Sequence, residues 1–180
     1  GRRLRPPSDR AVRPTAARVR EALFSILGQQ LDGQRVLDLF AGTGSIGIEA
    51  ASRGASEVVF VEKDPAHVRI IDSNITMLEG IAATQVVRRD ACASLLGLVR
   101  AGRPFNFVFM DPPYGRGLAT ACLDAMAPIT EELFARDAVI AVESDGREQL
   151  PLHVGPWILS DNRSYGQTDL DFYRHGGART

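Results

Sequence analysis

Two cysteines, one tryptophan and three histidines are all that a chain of 180 residues offers of these side chains. Cys92 and Cys122 lie far apart and form no CxxC, which argues against a zinc knuckle or a redox pair, so both read as reduced, half-buried thiols. His67, His153 and His175 are scattered without ligand spacing, and no metal site is expected. No run of about 18 apolar residues occurs, so no helical membrane span is expected. There is no charged-then-apolar leader, which points to the cytoplasm. Repeats are missing too, and no composition break marks a second globular domain. The length suits one domain with a real core, and 44% hydrophobic with 24% charged residues is ordinary for a globular protein. No long unexplained apolar stretch remains to cover a partner, so a monomer is expected.

Charge of one sign is nearly absent from the first stretch. Residues 1–20 hold seven arginines and a single acid, Asp9, so this stretch carries +6 against about −7 for the rest. Up to Arg13 the chain is rich in Arg and Pro and lacks apolar periodicity. We read residues 1–15 as a basic arm and 16–180 as the folded domain. Such an arm suits a polyanion, with Arg2, Arg3, Arg5, Arg10, Arg13 and Arg18 as candidate nucleic-acid contacts. Thr15 can cap a helix whose apolar face, Val19, Ala22/Leu23 and Ile26/Leu27, runs to a stop at Gly28. Arg18 and Arg20 fall outside that stripe.

Arg35–Phe40 then reads as a buried strand. The turn Gly42-x-Gly44-x-x-Gly47 follows at once and opens a helix ending near Gly54. A second strand, Glu57–Glu62, ends in an acid 20 positions after Gly42, a distance that suits acceptance from ribose hydroxyls. Asp64-Pro65 caps a helix carrying Val68, Ile71, Ile75 and Leu78. A third strand near Thr84–Arg88 delivers Asp90 to a helix, Cys92–Ala101, presenting Leu95, Leu96 and Val99. The fourth strand, Phe105–Asp111, breaks on Pro112-Pro113-Tyr114, and a helix follows from Leu118 to Met126. Ala138–Glu143 is the fifth strand. Trp157–Asp161 and Thr168–Arg174 form a hairpin about Tyr165-Gly166-Gln167, and the alternation in the second of these suits a sheet edge. Five strands alternating with helices, then a hairpin, predict a mostly parallel α/β sheet covered on both faces.

Ligands of such sheets sit at the carboxyl ends of the strands, where Asp38, Glu62, Asp90 and Asp111 all fall. A nicotinamide dinucleotide fits the glycine spacing, but Asp38 would face its pyrophosphate with like charge. An ammonium and a sulfonium suit these acids better, and S-adenosylmethionine carries both, with one ribose for Glu62 and an adenine amine for Asp90 or its neighbouring backbone. Asp111-Pro112-Pro113-Tyr114 is a rigid shelf. Prolines stop the strand and leave carbonyls free, the acid adds an acceptor, and the tyrosine adds a flat face. A planar base stacked there would offer the protons of an exocyclic amine to two acceptors.

Asp38-Leu39-Phe40-Ala41-Gly42-Thr43-Gly44, Glu62 and Asp111-Pro112-Pro113-Tyr114 together resemble methyltransferases of exocyclic amines. Arg13-Pro14-Thr15 leading into Arg18–Phe24, Gly47-Ile48-Glu49-Ala50 and Tyr165-Gly166-Gln167 narrow the likeness. Over most of its length the chain resembles the bacterial 16S rRNA guanine 2-amino methyltransferases of the RsmD type. That resemblance implies a Rossmann-like class I methyltransferase fold with a seven-stranded, mostly parallel sheet and a reversed last strand. It implies that Asp38, Phe40, Gly42, Gly44, Glu62, Asp90 and Ala91 hold S-adenosylmethionine, and that Asp111, Pro112, Pro113 and Tyr114 hold the base. The substrate it implies is 16S rRNA or the small ribosomal subunit. A DNA adenine 6-amino methyltransferase would use the same shelf, and a non-catalytic RNA-binding module on the same scaffold is a further reading; a protein glutamine methyltransferase would more usually carry Asn at position 111.

Overall fold

The computed structural model describes residues 14–76, 80 and 82–177. Arg2, Arg3, Arg5, Arg10 and Arg13, with the rest of residues 1–13 of the proposed arm and Leu78, lie outside the described residues, while Pro14 and Thr15 of that arm belong to the first helix. In order come α1 (Pro14–Leu27), β1 (Arg35–Leu39), α2 (Ser45–Ser52), β2 (Glu57–Val61), α3 (Pro65–Ile75), β3 (Ala83–Val87), α4 (Ala91–Ala101) and β4 (Phe105–Met110). Then follow α5 (Leu118–Met126), a 3-10 turn, α6 (Thr130–Leu133), β5 (Phe134–Asp145), β6 (His153–Val154), β7 (Trp157–Tyr165) and β8 (Thr168–His175). Pro14 opens α1 as its first residue, where its missing N–H costs nothing, so Thr15 stands inside the helix and not at its cap.

All eight strands form one sheet in the order β3-β2-β1-β4-β5-β8-β7-β6. β3 to β5 are parallel; β8 runs against β5, as the reversed strand requires. The count exceeds the expected seven because β6, two residues long, pairs with the start of β7. So short a strand carries no periodicity to read. β8 is also not an edge: β7 and β6 lie outside it, and Leu170, Asp171, Phe172 and Tyr173 are all buried. Its acids alternate with apolar residues because Asp171 is satisfied inside, accepting from Ser144 Oγ at 3.0 Å and Asn162 Nδ2 at 2.7 Å.

Strand alternation divides the core in two. One face, with Leu37, Leu39, Val108, Met110, Ile140 and Tyr173, packs beneath α4, α5 and α6. There the fold inverts one expectation, since Leu98 is buried while Leu96 is 62% exposed. The other face, with Val36, Phe60, Phe107, Phe109, Ala141 and Phe172, packs against α1, α2 and α3, and Phe24 joins Val19 and Leu23 beneath α1. α2 lies so close to β2 that a Cβ on Gly47 would meet the Phe60 ring at 2.3 Å. Glycine there is a packing requirement.

Cys92 and Cys122 are a disulfide, with Cα atoms 5.2 Å apart, and not the free thiols expected from their spacing. Thirty residues separate them in sequence, but α4 and α5 pack side by side and bring the two together.

Candidate active site

The chain passes from β1 outward to β2 and β3, then returns across β1 to β4 and β5. The carboxyl ends of β1 and β4 are therefore the point at which the winding reverses, and a crevice opens there. The two turns that the sequence singled out, 40–47 after β1 and 111–117 after β4, flank it.

The first turn is held from several sides. Phe40 has φ 75°, the sole positive φ outside glycine among the described residues. Strain of that kind persists where the surroundings enforce it and gathers at functional sites. Here Phe40 and Ala41 both donate to the Val61 carbonyl, at 3.1 and 2.9 Å. Gly42 and Gly44 also have positive φ, which glycine adopts without penalty. A Cβ on Gly42 would meet nothing within 4 Å, so the space over that residue is open to a ligand. Asn74, buried on α3, donates to the Thr43 carbonyl at 3.3 Å and fixes the turn from below.

The acids are oriented by backbone donors. Asp38 is buried and its Oδ2 accepts the Gly47 N–H at 2.9 Å. Burial pushes its pKa up to about 7 against that hydrogen bond, with the Glu62 charge adding to the rise. Glu62 takes the Gly42 N–H on Oε2 and the Asp64 N–H on Oε1, each at 2.8 Å. Asp64 is a helix cap, accepting from Ala66. Asp90 caps α4 as well, through a 3.3 Å bond from Ala93 to Oδ1, which leaves Oδ2 unengaged by that cap; the buried Ala91 follows it.

Asp111 begins the second turn. Solvent reaches it, yet the crevice walls displace much of its water; that desolvation, then the charges of Glu143 and Asp38, push its pKa up to about 8. Pro112 is buried, while Pro113 is exposed and Tyr114 is 44% exposed, so an aromatic face is open at the rim. The Tyr114 hydroxyl donates to Glu143 Oε1 at 3.3 Å. Its own pKa is raised by burial first, then by the Glu143 and Asp111 charges. Glu143 was missed as a site residue. It belongs to no motif, and its one signal is that the fifth strand, like the four before it, ends near an acid.

A groove of about 500 Å³ runs between α1 and β7, lined by Arg18, Glu21, Ser25, Ile26, Arg163 and Tyr165. Arg18 is thus on an exposed wall, apart from the acids of the crevice.

An ammonium and a sulfonium fit this donor set. A buried carboxylate with a raised pKa gains most from a nearby cation, and Glu62 and Asp90 present further acceptors at successive strand ends. A pyrophosphate does not fit beside Asp38.

A family model described as "Conserved hypothetical protein 95" matches residues 1–174. The chain is 34% identical over 174 residues to "Ribosomal RNA small subunit methyltransferase D" of Escherichia coli, covering 97% of this chain and 85% of that protein. Among solved structures, the yhhF protein of Escherichia coli superposes with a TM-score of 0.82 at 34% identity, covering 97% of this chain and 92% of that one. A conserved hypothetical protein of Streptococcus pyogenes superposes at 0.79 with 31% identity, over 89% of this chain and 98% of that one. TrmN of Thermus thermophilus, at 20% identity and a TM-score of 0.68, shares the fold.

Proposed function

The chain belongs to the Conserved hypothetical protein 95 family, the RsmD-type methyltransferases, and from that premise we propose that it methylates the 2-amino group of a guanine in small-subunit rRNA. The observation that carries the chemistry is the juxtaposition of the Asp111–Tyr114 shelf with the acid-tipped ends of β1 and β2 at the switch point. Asp38, Phe40, Gly42, Gly44, Glu62, Asp90 and Ala91 hold S-adenosylmethionine. When bound, that cofactor supplies a methyl group activated by a sulfonium.

The rest is positioning. The lone pair of an exocyclic amine is delocalised into its ring, so the amine is a poor nucleophile until its protons are held out of the ring plane. The Asp111 carboxylate and the Pro112 carbonyl accept those protons, Pro113 keeps the turn rigid, and Tyr114 stacks on the ring. A base inside a paired stem cannot reach the shelf, so the target is looped or flipped out. Residues 1–15 serve as the arm that grips phosphates through Arg2, Arg3, Arg5, Arg10 and Arg13, with Arg18 beside it, which makes binding salt-dependent.

The test is transfer of labelled methyl from S-adenosylmethionine to unmodified small subunits, free 16S RNA and duplex DNA, followed by nucleoside analysis. Label in 2-methylguanosine of RNA is expected. Label in 6-methyladenine of DNA would keep the shelf and overturn the substrate; no label in any sample would favour a binding module.

A further inference from the structure

We propose that Glu143 is a specificity-determining residue which, with Asp111, reads the donor edge of the target guanine: one carboxylate accepts from the 2-amino group and the other from N1–H. The inference rests on the guanine reading above and adds a residue to it.

The placement follows from strand register. Met110 stands opposite Val142 in the parallel β4–β5 pair, so Asp111, the first residue past β4, comes beside Glu143, which is still within β5. Asp38, Phe109 and Ala141 are aligned across β1, β4 and β5. Alternation therefore sends Asp38, Asp111 and Glu143 to one face, with Asp38 one pleat below the other two. The groups around Glu143 are accounted for. Asp111 is beside it, and the Tyr114 hydroxyl donates to its Oε1. On β8 it faces Leu170, while Asp169 and Asp171, opposite Ser144 and Val142, are turned to the other face, where Asp171 binds Ser144. Among the described residues no Lys, Arg or His forms an ion pair with Glu143 or with Asp111.

Two neighbouring carboxylates without a cation are costly unless something supplies donors to both. Guanine does so: its N1–H and 2-amino N–H bonds lie side by side on one edge. Adenine and 2,6-diaminopurine present an acceptor at N1, which would point a lone pair at a carboxylate. Tyr114 ties up one oxygen of Glu143 and sets its rotamer, leaving Oε2 as the acceptor for the ring. The same arrangement fits the electrostatics of the free protein: burial holds Glu143 at an elevated pKa against the Tyr114 hydrogen bond, and the Glu143 charge in turn adds to the rise at Asp111, so the pair is built to be completed by a ligand.

The deciding substrates are small subunits reconstituted with 16S RNA that carries guanine or 2,6-diaminopurine at the position the wild type methylates. Both keep the 2-amino group and differ at N1. At about pH 8.5, where most Asp111 is ionised and guanine still holds its N1 proton, wild type should favour guanine in kcat/KM by roughly 100-fold. Glu143→Gln, whose amide can donate to N1, should narrow that ratio by about 10-fold or more. The acid limb of its kcat/KM profile with guanine should also move to lower pH, because Asp111 loses a like charge. Where Gln fails to fold, Glu143→Asp withdraws the carboxylate by one methylene and should raise KM for guanine while lowering the ratio. An unchanged ratio in a folded variant overturns the inference and leaves the guanine reading intact. Wild type that labels no guanine overturns that reading and this inference with it.

Discussion

The two edges of the parallel sheet treat charge in opposite ways. At the amino edge Arg35, which starts β1, is in register with Glu57, which starts β2. The Arg35 fork gives Glu57 bonds of 2.9 and 3.1 Å, reaches the Arg103 carbonyl, and lies 4.1 Å over the Phe105 ring. Arg103 adds a 2.9 Å bond to the same carboxylate. The Arg35 hydrogen bond, partly opposed by burial and aided by both arginine charges, holds Glu57 below the usual carboxylate range. At the carboxyl edge Asp38, Asp111 and Glu143 share a face with no cationic partner among the described residues, and all three are pushed up. Burial alone does not distinguish the edges, since Arg35 and Asp38 are both buried. What differs is completion: one edge is satisfied by its own chain, and at the other the proposed ligand would supply the missing partners.

Substitutions should therefore separate activity from stability by edge. The largest effect is expected from Asp111→Ala, which should lower kcat/KM by roughly 1,000-fold or more while cofactor affinity, measured by calorimetry, stays near wild type. A rate within ten-fold of wild type would remove Asp111 from the chemistry. Arg35→Ala should do the reverse. Arg35 is buried but Glu57 is half-buried and keeps Arg103 as a partner, so urea unfolding should show a loss smaller than for a fully buried pair, about 2 kcal/mol, with activity per folded molecule unchanged. Because Glu57 is held below its ordinary value, its pairing stabilises the fold above that value and is lost as pH falls through the lowered one. The gap between wild type and Arg35→Ala should accordingly close in acid; a gap independent of pH would mean that packing on Phe105 outweighs the charge.

Most of this contrast was legible in the sequence at one edge only. The glycine turn, Asp38, Glu62 and the Asp-Pro-Pro-Tyr shelf announce themselves through local spacing, because a tight turn and a strand stop impose residue types on consecutive positions. Arg35 and Glu57 carried no such signal: their pairing is set by the β1–β2 register across 22 residues. Glu143 was hidden for the same reason, being defined by the strand beside it. The Cys92–Cys122 link shows the limit most plainly, since helix packing decides it and sequence spacing does not. That cross-link spans 30 residues, and closing a loop of that size constrains the unfolded chain by about 3.6 kcal/mol. The double Cys92→Ser/Cys122→Ser variant should lose about that much in urea unfolding; no loss would mean that α4–α5 packing needs no cross-link.

The smallest effect is the most discriminating, because it should run opposite to function. Asp38→Asn keeps a carbonyl oxygen for the Gly47 N–H and removes the buried charge. In the folded protein burial pushes this carboxyl up to about 7, well above its ordinary value of 3.8, so the fold binds this proton more tightly than the unfolded chain does. The stability linked to it is complete below about pH 4 and is lost as pH rises through 7. Asn does not ionise and should escape that loss. The variant should melt about 5 °C above wild type at pH 8 and converge with it near pH 4, while calorimetry shows weaker binding of S-adenosylmethionine. A variant that melts lower than wild type at pH 8 would mean that the Asp38 charge is already compensated within the chain, and the contrast between the two edges would fail at its most buried acid.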